Sequence, residues 1–160
     1  MGPGPVRMGI VMHKLAAVAA MPLALIIAFA PAAQAAGRDE HINFPIAEVL
    51  NNPEFKDKLP AGVRFYFGTQ KASVSRTLGE THTNKKTNAF NKSDKAACEW
   101  TMLSALIAIG EDARSRGGNA VVGIKSNYKG VETSSNDTYV CGAGGLMAGV
   151  ALKGTVAVVK

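Results

Sequence analysis

The strongest pattern along the chain is a helical apolar periodicity between Ser93 and Arg116. Ser93 or Asp94 can cap the first backbone amides, and Gly117-Gly118 can end the helix in the left-handed conformation. The pattern therefore predicts one long helix. Its apolar face covers on the order of 200° of the circumference, which is wider than one sheet face usually covers. We expect this helix either to be nearly buried or to contact a second subunit.

Alternating and β-branched segments on both sides of this helix predict a sheet. The predicted strands cover residues 63–69, 74–83, 120–128, 138–141 and 146–159, the last being bent or broken near Gly144-Gly145. The polar segments 84–91 and 129–137 are predicted to be loops. Together these elements predict the α+β fold class, with one long helix packed on a small antiparallel sheet.

Residues 37–60 form a predicted lead-in that precedes this α+β domain of residues 61–160. The lead-in contains one short amphipathic helix, which begins after Pro45 and repeats apolar residues at Ile46 and Val49. The segment Asn51-Asn52-Pro53 is expected to end it.

The first 36 residues have the layout of a secretory signal peptide. A basic region is followed by the apolar run 15–30 and by small residues, which predicts cleavage near Ala35 or Ala36. The alternative is a membrane anchor, but the run is shorter than the ~20 residues of a spanning helix and Pro22 interrupts it. We therefore expect a periplasmic or secreted protein whose mature form has no integral membrane span.

The charge of the remaining chain is mildly basic. Two of the 18 Lys and Arg residues lie in the signal segment, which leaves 16 against 12 Asp and Glu, a formal charge of +4. The basic residues are dispersed, and no aromatic residues are interleaved with them as stacking platforms. The composition therefore predicts no nucleic-acid partner.

The two cysteines, Cys98 and Cys141, both lie in the predicted exported part. In an oxidising compartment two thiols of a small domain usually pair, so we expect a disulfide between them. The alternative is a free catalytic thiol, which would need a histidine base, and only His41 and His82 remain after processing.

Metal binding is the main alternative chemistry. Glu80 and His82 lie two positions apart in a predicted strand, so they share a face and could ligate a metal if His41 joined them. Two such residues do not make a site, and a solvent-exposed polar strand face is the better explanation for them. His41, Glu80 and His82 are therefore weak metal candidates.

Motifs for catalysis do not occur at their required spacing. The glycine-rich run 142–149 lacks the Gly-Lys-Ser/Thr ending of a P-loop, and neither G-x-G-x-x-G nor G-x-S-x-G is present. The sequence therefore predicts no enzyme and no cofactor.

Two segments resemble the YbjQ-type family, which is described as a putative heavy-metal-binding domain. They are residues 113–124, ARSRGGNAVVGI, and residues 146–158, LMAGVALKGTVAV. More loosely, the export signal and Cys141 near the end of the sheet are similar to the RcsF-type envelope-stress lipoproteins, although no lipid-anchor cysteine follows the signal. The resemblance implies one long helix on an antiparallel sheet and ring-like oligomers. Some exported proteins of this appearance are described as an excinuclease ATPase subunit. The missing P-loop contradicts that description for this chain.

These observations predict a non-enzymatic exported module that binds an envelope protein or self-associates, with a role in envelope homeostasis or stress sensing. The alternative is a metal-binding periplasmic protein.

Overall fold

The computed structural model describes residues 1, 2, 4 and 37–160. The predicted signal peptide, residues 1–36, lies almost entirely outside the described residues. The elements in chain order are β1 (Glu40–Pro45), α1 (Ile46–Leu50), α2 (Pro53–Lys56), β2 (Arg64–Phe67), β3 (Val74–Asn88), α3 (Asp94–Ser115), β4 (Ala120–Tyr128), β5 (Val131–Thr133), β6 (Thr138–Ala143) and β7 (Met147–Val159). No helix within the described part of the chain has the length and apolar character needed to cross a membrane.

Helix α3 confirms the predicted long helix and both of its ends. The Ser93 hydroxyl accepts a hydrogen bond from the Ala96 amide at 3.2 Å, which satisfies one of the free N–H groups of the first turn. At the other end Gly117 has a φ of 75°, a left-handed conformation that glycine adopts without steric cost.

Most of the wide apolar face of α3 is buried within the chain itself, while Trp100 is 41% exposed. One side of the helix packs on β3 and β7, and the other side faces the segment between α2 and β2. There Gly110 lets Pro60 and Phe65 approach, because a Cβ at position 110 would lie 2.8 Å from the Pro60 ring and 3.0 Å from Phe65. Intramolecular packing therefore accounts for the width of the face without a second subunit.

The sheet is larger than predicted, with seven strands, and it is curled. Strand β7 lies at its centre: β3 pairs along one side of β7, and β6 followed by β4 pair along the other. Strand β1 lies outside β6, while β2 and β5 lie outside β4. Strand β2 runs parallel to β4, so the sheet is mixed rather than antiparallel. The α+β class is confirmed, but the sheet rather than the helix dominates the fold.

Three local differences from the predicted elements have a common cause. Strand β1 lies in the predicted lead-in, β3 continues five residues past Thr83 to Asn88, and β5 lies in the predicted loop 129–137. Each of these segments is extended because a neighbouring strand supplies backbone partners. The β3 extension and β5 are polar, so backbone pairing there overrides a sequence pattern that by itself indicates a loop. Strand β1 instead alternates polar residues with the half-buried Ile42 and Phe44, a strand pattern that the predicted lead-in did not use.

A disulfide joins Cys98 of α3 to Cys141 of β6, with 5.9 Å between the two Cα atoms. Both cysteines are fully buried. The predicted pairing is confirmed, and the bond ties the long helix to the sheet through the middle of the core.

Candidate functional site

A pocket of about 480 Å³ opens at the end of the sheet where the β6–β7 turn meets the start of β1. Five of its lining residues are glycines, namely Gly37, Gly142, Gly144, Gly145 and Gly149. Tyr128, the last residue of β4, lies in its wall, and we call this cavity the Tyr128 pocket. Glycines leave the cavity wide because they have no side chain, and most of its surface is apolar.

Two of these glycines make room for the Tyr128 ring. Gly142 and Gly149 are directly opposite each other in the β6–β7 ladder. A Cβ at Gly142 would overlap the Tyr128 hydroxyl, and one at Gly149 would lie 3.1 Å from the ring carbon Cε2. The ring therefore lies flat across the glycine pair, in a space that any larger residue at position 142 would fill.

Polar side chains fix the tyrosine in this position. The Tyr128 hydroxyl donates to Asp39 Oδ1 at 3.1 Å, while Lys129 pairs with the Asp39 carboxylate. His41 Nε2 lies 3.9 Å from Asp39 Oδ2, and the His41 ring packs edge-on against Tyr128 at 4.9 Å between centroids.

The electrostatics of this cluster shift the pKa values of Asp39 and Tyr128 in opposite directions. The hydrogen bond from Lys129 lowers the pKa of Asp39, so the carboxyl group stays ionised and keeps accepting hydrogen bonds from Lys129 and Tyr128. Burial, together with the hydrogen bond to Asp39, raises the pKa of Tyr128, so its phenol stays protonated. At neutral pH the pair therefore consists of a carboxylate that accepts a hydrogen bond from a neutral phenol.

Exposed apolar side chains surround the mouth of the pocket. Leu146 is 67% exposed and Met147 is 49% exposed, and both line the cavity. The Ala89 amide donates to the Leu146 carbonyl at 2.8 Å, which brings the neighbouring Phe90, 59% exposed, to the same end of the molecule. We call Phe90, Leu146 and Met147 the apolar rim.

The same end of the molecule is basic. Arg38 pairs with Asp94 and with Glu40, so its charge is locally balanced. Lys86 lines the pocket and Lys92 donates to the Asn88 carbonyl at 2.8 Å, and neither forms an ion pair among residues 37–160. The rim therefore combines apolar surface with uncompensated positive charge.

The structure does not bring the three metal candidates together. Glu80 and His82 lie in β3, whereas His41 lies in β1, on the far side of β6 and β7. The Glu80 carboxylate is 3.7 Å from Lys153. Within the described residues, no group of three or more His, Cys, Asp or Glu side chains is arranged to hold a metal ion. Metal binding stays a prediction, which titration with zinc and copper under oxidising conditions in a calorimeter would test.

Sequence reasoning missed the Tyr128 pocket because its residues come from distant parts of the chain. The run 142–149 is predicted to bend or break the last strand, and the structure has the break at the β6–β7 turn, since β6 ends at Ala143 and β7 begins at Met147. The available signal was a pair of glycines on either side of that turn. These glycines indicate a pocket only because the Tyr128 side chain of β4 lies against them, and no local sequence pattern predicts that contact.

No family model matches this chain, and neither a curated protein nor a solved structure does so. The resemblance to the YbjQ-type and RcsF-type proteins accordingly stays a prediction.

Proposed function

We propose that this chain is an exported, non-enzymatic module that binds a partner protein of the cell envelope through the Tyr128 pocket and the apolar rim. The observation that carries the proposal is that the exposed side chains of Leu146 and Met147 line a largely apolar cavity, with the exposed Phe90 next to Ala89, which bonds to the Leu146 carbonyl. Contiguous exposed apolar surface next to a pocket is typical of an interaction site. The buried disulfide supports a destination outside the cytosol.

The charges around the rim define the chemistry of the partner. Lys86 and Lys92 lie beside the apolar rim without carboxylate partners among the described residues. We therefore expect the partner to present a large apolar side chain flanked by Asp or Glu. The apolar side chain would enter the cavity, and the flanking carboxylates would pair with the lysines at its edge.

The ionised Asp39 and protonated Tyr128 support the non-enzymatic part of the proposal. Their hydrogen bonds are made to each other and to Lys129, so the cluster holds the pocket wall in shape. A binding site benefits from such rigidity because less side-chain freedom is lost when the partner docks.

Photo-crosslinking in the expressing cell tests this proposal. A photoreactive amino acid replaces Leu146 in one variant and Val131 in a control, which is matched because Val131 is 65% exposed but lies in β5. We expect one discrete heterologous product from position 146 and none from position 131, with Lys92→Glu reducing its yield. Equal products from both positions, or a product containing only this chain, would contradict the proposal.

A further inference from the structure

The longest strand of the sheet lies at its edge. Strand β3 has 15 residues and pairs with β7 along one side. No other strand in the described part of the chain pairs with its second side. Such an edge presents a row of N–H and C=O groups that can pair with another strand.

Two hydrogen bonds identify the residues of β3 whose backbone N–H and C=O groups point away from β7. The Glu80 carbonyl accepts from Arg116 Nη1 at 2.9 Å, and the Asn88 carbonyl accepts from Lys92 Nζ at 2.8 Å. In an antiparallel ladder, the N–H and C=O groups of alternate residues point to the same side. Because the ladder is free of bulges between Gly79 and Asn88, the outward residues are Glu80, His82, Asn84, Lys86 and Asn88.

We propose that β3 pairs antiparallel with β3 of a second copy, about a twofold axis at Thr83. Only residues whose backbone groups point outward can exchange hydrogen bonds with the second copy. Three registers therefore suit this pairing, and in them Glu80 lies opposite Asn84, Lys86 or Asn88 of the second copy. The register centred on Thr83 places Glu80 opposite Lys86, once on each side of the axis. It is favoured because oppositely charged residues facing each other across a ladder stabilise the pairing.

The charges at these two positions suit this arrangement. The Glu80 side chain is 74% exposed, and its only ion-pair contact within residues 37–160 is Lys153 at 3.7 Å. Lys86 has no carboxylate partner among the described residues. On dimerisation the Lys86 amide of the second copy replaces Arg116 at the Glu80 carbonyl, while Arg116 keeps its 2.7 Å ion pair with Asp112.

Pairing of two strand edges around residues 80–86 buries less surface than the roughly 1,600 Å² of a standard interface. The dimer is therefore weak. Sedimentation equilibrium of the purified protein from about 10 μM to about 1 mM covers the relevant range of dissociation constants. We expect a monomer–dimer equilibrium within it. A wild-type protein that stays monomeric throughout overturns the inference.

Charge reversal tests the register. Glu80→Lys and Lys86→Glu each place like charges opposite each other twice, so each should weaken the dimer about tenfold or more. The double variant restores opposite charges and should return the dissociation constant to within about threefold of wild type. Lys85→Glu is the matched control, since it makes the same charge change on the other face of β3, and it should have a smaller effect.

Failure of the double variant to rescue dimerisation overturns the inference, as do single variants that dimerise like wild type. Thermal unfolding of each variant verifies that the fold is retained. This inference does not depend on the proposed function. Lys86 belongs to both surfaces, but Glu80 does not line the Tyr128 pocket, so Glu80→Lys reports the β3 edge while crosslinking at Leu146 reports the pocket.

Discussion

Removing the disulfide should destabilise the protein by about 4 kcal/mol. Cys98 and Cys141 are separated by 43 residues, and the chain-entropy treatment of a loop of this size gives that value at 25 °C. Because both sulfur atoms are fully buried, Cys98→Ala/Cys141→Ala should lose a further contribution from the cavity it leaves. For a domain of this size, 4 kcal/mol corresponds to a decrease in Tm of about 15 °C.

Urea unfolding measures this loss, with the fluorescence of Trp100 as the probe. Trp100 is the single tryptophan, and it contacts Phe55 of α2 edge-on at 4.9 Å between ring centroids. Its emission therefore reports when α3 separates from the elements packed on it. The wild-type protein is compared with the double alanine variant and with wild type refolded under reducing conditions.

The reduced wild-type protein is the informative control because it keeps both sulfur atoms and lacks only the covalent link. Its loss of stability gives the contribution of the crosslink, and the additional loss in the alanine variant gives that of packing. If reduction lowers the free energy of unfolding by less than about 1 kcal/mol, the loop-entropy reasoning is refuted for this chain.

Three further predictions concern the helix cap and the pocket. Ser93→Ala removes the hydroxyl that caps α3 and should cost about 1 kcal/mol in the free energy of unfolding, measured in urea. Gly142→Ala should cost about 1–3 kcal/mol because its Cβ overlaps Tyr128, measured in the same way. Asp39 has a pKa lowered by its hydrogen bond from Lys129, so its stabilising contribution is present above the ordinary Asp pKa and is lost as the pH falls through the lowered value. The stability difference between wild type and Asp39→Asn should therefore shrink on acidification from about pH 6 to about pH 2.

Each of these has a specific control. Ser104→Ala changes an exposed serine within the same helix and should have a much smaller effect than Ser93→Ala. The Gly142→Ala effect should nearly vanish in a Tyr128→Ala background, and a persistent effect would show that something other than the ring occupies the space. A pH-independent difference for Asp39→Asn would contradict the assignment of the carboxylate as the titrating group.

The parts of the fold predictable from sequence are those determined by local signals. Helix α3 has a cap, an apolar face and a glycine stop within one segment, and β4 was predicted with the bounds that it has. The Cys98–Cys141 bond is predictable from the cysteine count and an expected oxidising compartment, since the sequence holds only two cysteines.

The parts that could not be predicted depend on partners distant in sequence. Strand β1 is extended because β6, about a hundred residues later, pairs with it, and β2 is parallel to β4 because a long connection separates them. The Tyr128 pocket has the same origin, since Asp39, Tyr128 and Gly142 meet only once β1, β4 and β6 are assembled.

The position of β7 in chain order has a consequence for biosynthesis. Three strands, β3, β4 and β6, bond to β7 and precede it, so the β1–β6 pair, the β2–β4–β5 group and β3 cannot join into one sheet until Met147–Val159 has left the ribosome. Closing such long sequence separations is slow relative to forming helices. A newly made molecule should thus complete its sheet only after synthesis has passed β7.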